Sequence, residues 1–193
     1  MGVRVRDPRD RPLVDALRRG DAAAFDAVYD RYRGRVLGFL LRLSRRRDVA
    51  EDLFQETWLR LARAAPRLAE DTDLAAWLFR VARNAWVSHR RWSALDLSRL
   101  VALEDDALPS LPASGGEART DASRRVAQLE AALASLPPAS REVLLLVAVE
   151  GFDQEQAAAI LGIRYAALRQ RLSRARAQLA ERLAIGDMNE VTS

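Results

Sequence analysis

The sequence predicts an all-α protein: two small helical domains joined by a flexible linker, the second containing a helix-turn-helix. Three observations carry this. Apolar residues recur at helical spacing over most of the chain, with no strand-like alternation and few β-branched residues. Residues 93–123 break that periodicity with Pro109, Pro112 and the Gly115-Gly116 pair among scattered acids, the composition of a flexible connection. Further on, "QEQAAAILGIRYAALRQRLSRARAQL" sets a short helix, a tight turn at Gly162 and a longer helix in succession. The expected divisions are a first domain at 1–92, a linker at 93–124 and a second domain at 125–193.

The first domain reads as four helices. "RPLVDALRRG" is short and ends at Gly20, a residue suited to closing a helix. Asp21 can cap a longer helix that carries Phe25, Val28, Tyr29, Tyr32, Val36, Phe39 and Leu40 at helical spacing, with Gly34 a candidate kink. Asp48 with Glu51 three residues on is a capping-box pattern opening "VAEDLFQETWLRLARAA" before Pro66. The polar loop "PRLAEDTD" leads into "LAAWLFRVARNAWVSHRRW", residues 74–92. Within the linker, "LSRLVAL" is a candidate turn of helix.

The second domain also reads as four. "RRVAQLEAALASL" stops at Pro137-Pro138, and "PASREVLLLVAVE" begins with Pro near its first turn and stops at Gly151. Asp153 with Gln156 is a second capping box, opening "QEQAAAIL" before Gly162. The last helix runs from "RYAALRQ" to about Gly186.

Composition narrows the function. All 31 basic residues are Arg, so the pI is high although the formal charge is only +4. Arg supplies planar, forked donors suited to phosphates and guanine edges. Residues 1–92 hold 20 Arg against 13 acids, residues 93–124 hold 3 against 6, and residues 164–182 hold 6 against 1. There is no Cys and a single His, His89, so thiolate or multi-His metal sites and Ser-His or Cys-His catalysis have nothing to build on. No cofactor is expected, and no enzyme. No apolar run is long enough to span a membrane, and "MGVRVRDPRDRP" lacks the apolar core of a secretory signal. The expectation is a cytoplasmic protein without membrane insertion.

The final helix holds Arg164, Arg169, Arg171, Arg174 and Arg176 and no acid between Ile160 and Leu179. At about 100° per residue, Leu168, Leu172, Ala175 and Leu179 share one side. Ala166, Gln170, Ser173 and Arg174 lie opposite, flanked by Ala167 and Arg169. Small residues let a backbone approach a groove, and Arg and Gln reach base edges or phosphates. That face suits DNA, although a helix-turn-helix alone also fits a regulator that binds duplex DNA unaided, and an Arg-rich helix can be a plain solvated face.

The order "DVAEDLFQETWLRL", "AAWLFRVARNAW", a variable linker, then "LPPASREVLLLVAVEGFDQEQAAAILGIRYAALRQRLSRAR" resembles the extracytoplasmic-function sigma factors of bacterial RNA polymerase, over roughly residues 13–92 and 125–184. The resemblance implies a first domain that binds the clamp helices of the polymerase β′ subunit and reads the −10 element as melted single strand. It implies a second domain that binds the β flap and reads the −35 element as duplex. The partners are then core polymerase and promoter DNA. An anti-sigma protein is a usual partner in the family, and these residues are silent on whether one exists here.

Residue by residue, the resemblance assigns polymerase contact to Asp52, Gln55 and Glu56; Asp52 and Glu56, four apart, share a helix face. It assigns a flipped-base pocket to Asn84 together with the loop at 66–73, where an amide can read the extruded base. Arg80, Arg83, Arg90 and Arg91 would track phosphates, and Trp86 and Trp92 would stack on exposed bases, while Trp58 and Trp77 are expected in the core. The −35 reader comprises Arg164, Tyr165, Arg169, Gln170, Arg171, Ser173 and Arg174. The chain departs from the family pattern at Arg164 and Ala167, where Ser or Thr is common, at Ser88, where Asp is common, and at Trp92, where a basic residue is common. Arg164 has no side-chain oxygen to cap the last helix.

The rival readings are a helix-turn-helix transcriptional regulator acting without core polymerase, and a helical adaptor that binds no DNA. The first leaves Asp52, Gln55, Glu56 and the Trp- and Arg-rich helix unexplained.

Overall fold

The computed structural model describes residues 10–96 and 121–191, and all its regular elements there are helical. The first domain contains α1 (Asp10–Arg18), α2 (Ala22–Ser44), α3 (Arg47–Ala64), a 3-10 turn (Ala65–Arg67) and α4 (Leu74–Asp96). The second contains α5 (Asp121–Ser135), α6 (Pro138–Leu144), a π-helical turn (Leu145–Val149), α7 (Gln154–Leu161) and α8 (Tyr165–Val191). Residues 97–120, with most of the expected linker and the candidate turn in "LSRLVAL", lie outside the described residues, as do residues 1–9.

Local chemistry sets most of the boundaries. Asp21 caps α2 as expected, its Oδ1 accepting from the Ala23 and Ala24 N–H groups at 2.9 and 3.4 Å. α2 runs unbroken through Gly34 and closes on Arg45, whose φ of 58° is left-handed. The expected capping box at Asp48 does not form. α3 starts two residues earlier than that box requires, at Arg47, and Asp48 sits in its first turn paired with the Arg46 guanidinium. That contact, with the Val49 N–H, holds the Asp48 carboxyl below the usual carboxylate range. Asp73 takes the capping role for α4, accepting from Ala76 N–H at 2.9 Å. The capping box of Asp153 and Gln156 is complete, and Gly162 closes α7 with φ 63°. The Arg164 carbonyl accepts from Leu168 N–H at 3.0 Å, so α8 begins at Tyr165 with no side-chain oxygen needed.

Inside the first domain, the Asp10 carboxylate is buried between Tyr32 Oη, at 2.9 Å, and Arg31 Nη1, at 2.8 Å, which pins α1 to α2. Burial, with this carboxylate beside it, pushes the Tyr32 phenol well above its usual value. Phe25, Tyr29, Phe54 and Trp58 form an edge-to-face cluster between α2 and α3. In the second domain α6 packs against α8, with Val143, Leu168, Leu172 and Ala175 buried on these helices and Leu145 and Leu146 buried in the π-helical turn.

The two domains share one continuous apolar core. α4 packs against α7 and α2 against α6. The rings of Phe39, Phe79 and Phe152 stack edge to face in series, each pair 5.1 Å apart, with Phe152 contributed by the loop before α7.

Candidate nucleic-acid and polymerase interfaces

Helix α4 has two distinct faces. At about 100° per residue, Trp77, Arg80, Val81, Asn84, Ser88 and Arg91 fall on one side. Phe79, Ala82, Arg83, Trp86 and Arg90 fall on the other, which turns toward the second domain. The burial pattern agrees: Phe79, Ala82 and Trp86 are buried, whereas Arg80, Asn84, Ser88 and Arg91 are exposed.

The exposed face borders an open cleft of about 550 Å³ walled by Arg60 and Arg63 of α3, Arg67 and Thr72 of the connecting segment, and Trp77 and Arg80 of α4. Four arginines, one of them paired with Glu56, and a half-buried indole line this cleft, a set that suits a base and the phosphates beside it. The loop at 66–73 supplies part of this wall through Arg67, Leu68, Ala69 and Thr72. Asn84 lies one turn beyond Val81 on the same face, exposed and outside the cleft's wall, its Oδ1 accepting from Arg83 Nη1 at 3.4 Å. Trp77, expected in the core, is half-buried: it packs against the core and also lines the cleft. Arg60, Arg63 and Arg67 were not assigned from sequence; their three- and four-residue spacing, running into the loop before α4, was the available signal.

Three residues assigned to −10 DNA lie on the other face of α4, Arg90 exposed there, Arg83 half-buried and Trp86 buried. Trp86 is 3 % exposed and offers a base no free ring face in this arrangement. Arg90 lies over its ring at 5.0 Å. Arg83 points to the second domain, Nε 3.6 Å from Glu142 Oε1. Trp92 is 70 % exposed and open to stacking.

On α3, Asp52 and Gln55 are exposed, and Glu56 is half-buried with Oε1 accepting from Arg60 Nε at 2.7 Å. Glu56 is thus tied to a wall residue of the cleft. Leu59, 52 % exposed, extends the same helix face by one turn and adds an apolar anchor that sequence reasoning passed over.

On α8, Leu168, Leu172 and Ala175 are buried as the helical spacing predicts. Arg164, Tyr165, Arg169, Gln170, Ser173 and Arg174 are exposed, and Arg171 is half-buried. Seven candidate DNA contacts therefore come from one helix and the residue that precedes it.

Among the described residues, no cluster of His, Cys, Asp or Glu is placed to hold a metal ion, and no helix is long and apolar enough to cross a membrane.

Comparison with known proteins agrees with this arrangement. Residues 28–94 match Sigma-70 region 2, and residues 127–179 match Sigma-70, region 4. The chain is 36 % identical over 173 residues to RNA polymerase sigma factor CarQ of Myxococcus xanthus, covering 88 % of this chain and 95 % of that protein. It is 35 % identical over 176 residues to ECF RNA polymerase sigma factor EcfG of Rhodopseudomonas palustris, covering 88 % and 86 %. Among solved structures, the sigma factor RpoE in complex with the anti-sigma factor NepR from Bartonella quintana superposes with a TM-score of 0.64 at 26 % identity, over 94 % of this chain and 99 % of that one. CnrH in complex with the cytosolic domain of CnrY gives 0.66 at 27 %, over 91 % and 97 %. With both sigma regions matched in order, on the two domains that carry the cationic cleft and the helix-turn-helix, the chain belongs to the extracytoplasmic-function sigma factors, which direct RNA polymerase in transcription initiation.

Proposed function

We propose that this sigma factor docks on core polymerase through the α3 face of Asp52, Gln55, Glu56 and Leu59, reads melted −10 DNA with the exposed face of α4, and reads −35 duplex with α8. The observation that carries the −10 assignment is the cleft beside that face, lined by four arginines and Trp77, with Asn84 one turn beyond Arg80. An extruded base fits a pocket with an aromatic wall, and the flanking backbone meets fixed positive charge. Arg80, Asn84, Arg90 and Arg91 are open to DNA in this arrangement, whereas Trp86 is buried and Arg83 is half-buried against Glu142.

Acidic and amide groups on α3 suit basic clamp residues, and Leu59 gives that contact an apolar centre. On α8, Gln170 and Arg169 reach base edges, while Arg164, Arg174 and the more recessed Arg171 neutralise phosphates. The role is non-catalytic: the chain places two readers and stabilises melting. Domain limits at 92 and 125 follow this division of labour, and the site of action is the cytoplasm. The similar sigma factor RpoE, solved in complex with the anti-sigma factor NepR, supports an anti-sigma protein as a further partner.

The test is binding of labelled protein to bacterial core polymerase, for wild type and Asp52→Arg. Tight binding that the reversal weakens at least tenfold supports the reading. Duplex binding with no core binding favours the regulator that works without polymerase.

A further inference from the structure

The loop between α3 and α4 walls the cleft with Arg67, Leu68, Ala69 and Thr72. A wall that discriminates between bases must hold its place to within about 0.5 Å, which takes a supporting layer behind it. Part of that support is local. Leu68 N–H donates to the Ala65 carbonyl at 3.3 Å, and Thr72 donates to the Ala69 carbonyl from N–H and Oγ1 at 3.0 and 2.7 Å. These bonds shape the loop, and the buried Leu68 side chain seats it on the core. At its far end Asp73 caps α4 and accepts from Gln156 Nε2 at 3.1 Å.

The remaining support comes from α1. This helix packs against the 3-10 turn that carries Arg67. Glu70, between Ala69 and Thr72, pairs with Arg18 at the end of α1, Oε1 lying 2.9 Å from Nη1. α1 is itself firmly seated. Val14 and Leu17 are buried, and at its other end the buried Asp10 carboxylate accepts from Tyr32 Oη at 2.9 Å and Arg31 Nη1 at 2.8 Å. The helix lies ahead of the residues that match Sigma-70 region 2, which start at 28. It contributes no residue to the cleft, yet it joins the cleft's loop to α2.

We infer that α1 is a brace for the −10 reader: Arg18, acting through Glu70, is a positioning residue that fixes the loop at 66–73 and so sharpens base discrimination in melted −10 DNA. The inference rests on the assignment of the cleft to that DNA. The pair is half exposed, so it adds little to global stability, and reversing either charge leaves the domain folded. Its effect is local, on a loop tip that opens more readily than the helices around it.

Hydrogen exchange in the free, full-length chain reads the brace without DNA. Arg18→Glu and Glu70→Arg should each speed exchange of the loop amides about two- to fivefold, with the interior of α3 unchanged. The double variant, which restores the pair with its charges exchanged, should return the loop to the wild-type rate. Holoenzyme binding to fork-junction DNA with each of the four bases at successive melted −10 positions reads the consequence. Each single reversal should lower the ratio between best and worst base at the pocket position by a similar factor, core binding should stay unchanged, and the double variant should recover the ratio. The ratio is decisive because a reversed charge near DNA shifts affinity for all sequences alike. Unchanged loop exchange in both single variants overturns the brace. So does faster exchange that the double variant does not repair, and so does repaired exchange with the base ratio constant throughout. Repaired exchange in a chain whose wild-type holoenzyme shows no base preference at any melted position supports the brace as a structural tie and overturns the assignment of the cleft.

Discussion

The rings of Phe79 and Phe152 meet edge to face, 5.1 Å between centroids, although one belongs to α4 and the other to the loop before α7. Both are almost fully buried, and Arg35 lies over the Phe79 ring at 5.3 Å while its Nε bonds Glu150. An apolar contact and an ion pair thus meet at one point of the domain boundary. Phe152→Ala removes the ring from this point and leaves a cavity. A loss of about 3–5 kcal/mol is expected, read as a lower urea midpoint.

Arg141 ties two helix ends together. Its Nε donates to the Leu133 carbonyl at 3.0 Å, its Nη2 to those of Ala134 and Leu136, and its Nη1 to that of Leu43. These carbonyls end α5 and α2, where helical partners run out. Burial lowers its pKa to about 10, with Arg45 and Arg90 nearby adding to the effect, yet it remains charged at neutral pH. Arg141→Met leaves several carbonyls without a donor and should cost about 3 kcal/mol or more in chemical denaturation. Arg141→Lys keeps the charge but not the fork and should recover only part of it.

Glu142 supplies a pH signature. Burial raises its carboxyl pKa above the ordinary 4.5, against the opposing pull of Arg83, Arg171 and Arg90. The folded chain therefore takes up this proton at a higher pH than the unfolded chain. The stability this gives is complete below about pH 4.5 and is lost as pH rises through the raised value. Measured against Glu142→Gln over that range, wild type should lose stability with rising pH while the variant stays flatter in this window.

The exposed face of α8 divides into base readers and phosphate contacts. Gln170→Ala should cost about 1–3 kcal/mol at one promoter position and relax specificity there. Arg174→Ala should weaken all −35 sequences alike and reduce the slope of log K against log salt by about one. Binding of holoenzyme to a set of −35 variants at several salt concentrations separates the two.

Helix periodicity made nearly the whole fold legible. The buried faces of α2 and α8, the cap at Asp21 and the box at Asp153 follow from local chemistry that one chain segment contains. Asp48 is not a cap because α3 already begins at Arg47, which places Asp48 inside the first turn, paired with Arg46. The α3 and α8 candidates stand on exposed helix faces because their apolar neighbours fix the rotation, although Glu56 is bonded to Arg60 and Arg171 is half-buried. The closure of the domains was not legible. Arg35, Arg42 and Arg83 read as any other arginine in a chain that has no Lys, and their partners Glu150, Glu130 and Glu142 lie 115, 88 and 59 residues away. Trp86 shares the helical period of the buried Phe79 and Ala82, and that face is covered, so its ring is not free to stack.

The most direct measurement is transcription from genomic DNA by core polymerase with and without this chain, mapping new RNA 5′ ends. The account predicts chain-dependent starts that share two upstream elements at a fixed spacing, lost together with Asp52→Arg and shifted in −35 preference by Gln170→Ala. Tight binding of the chain to core polymerase with no new starts, or starts that share no upstream elements, would contradict it.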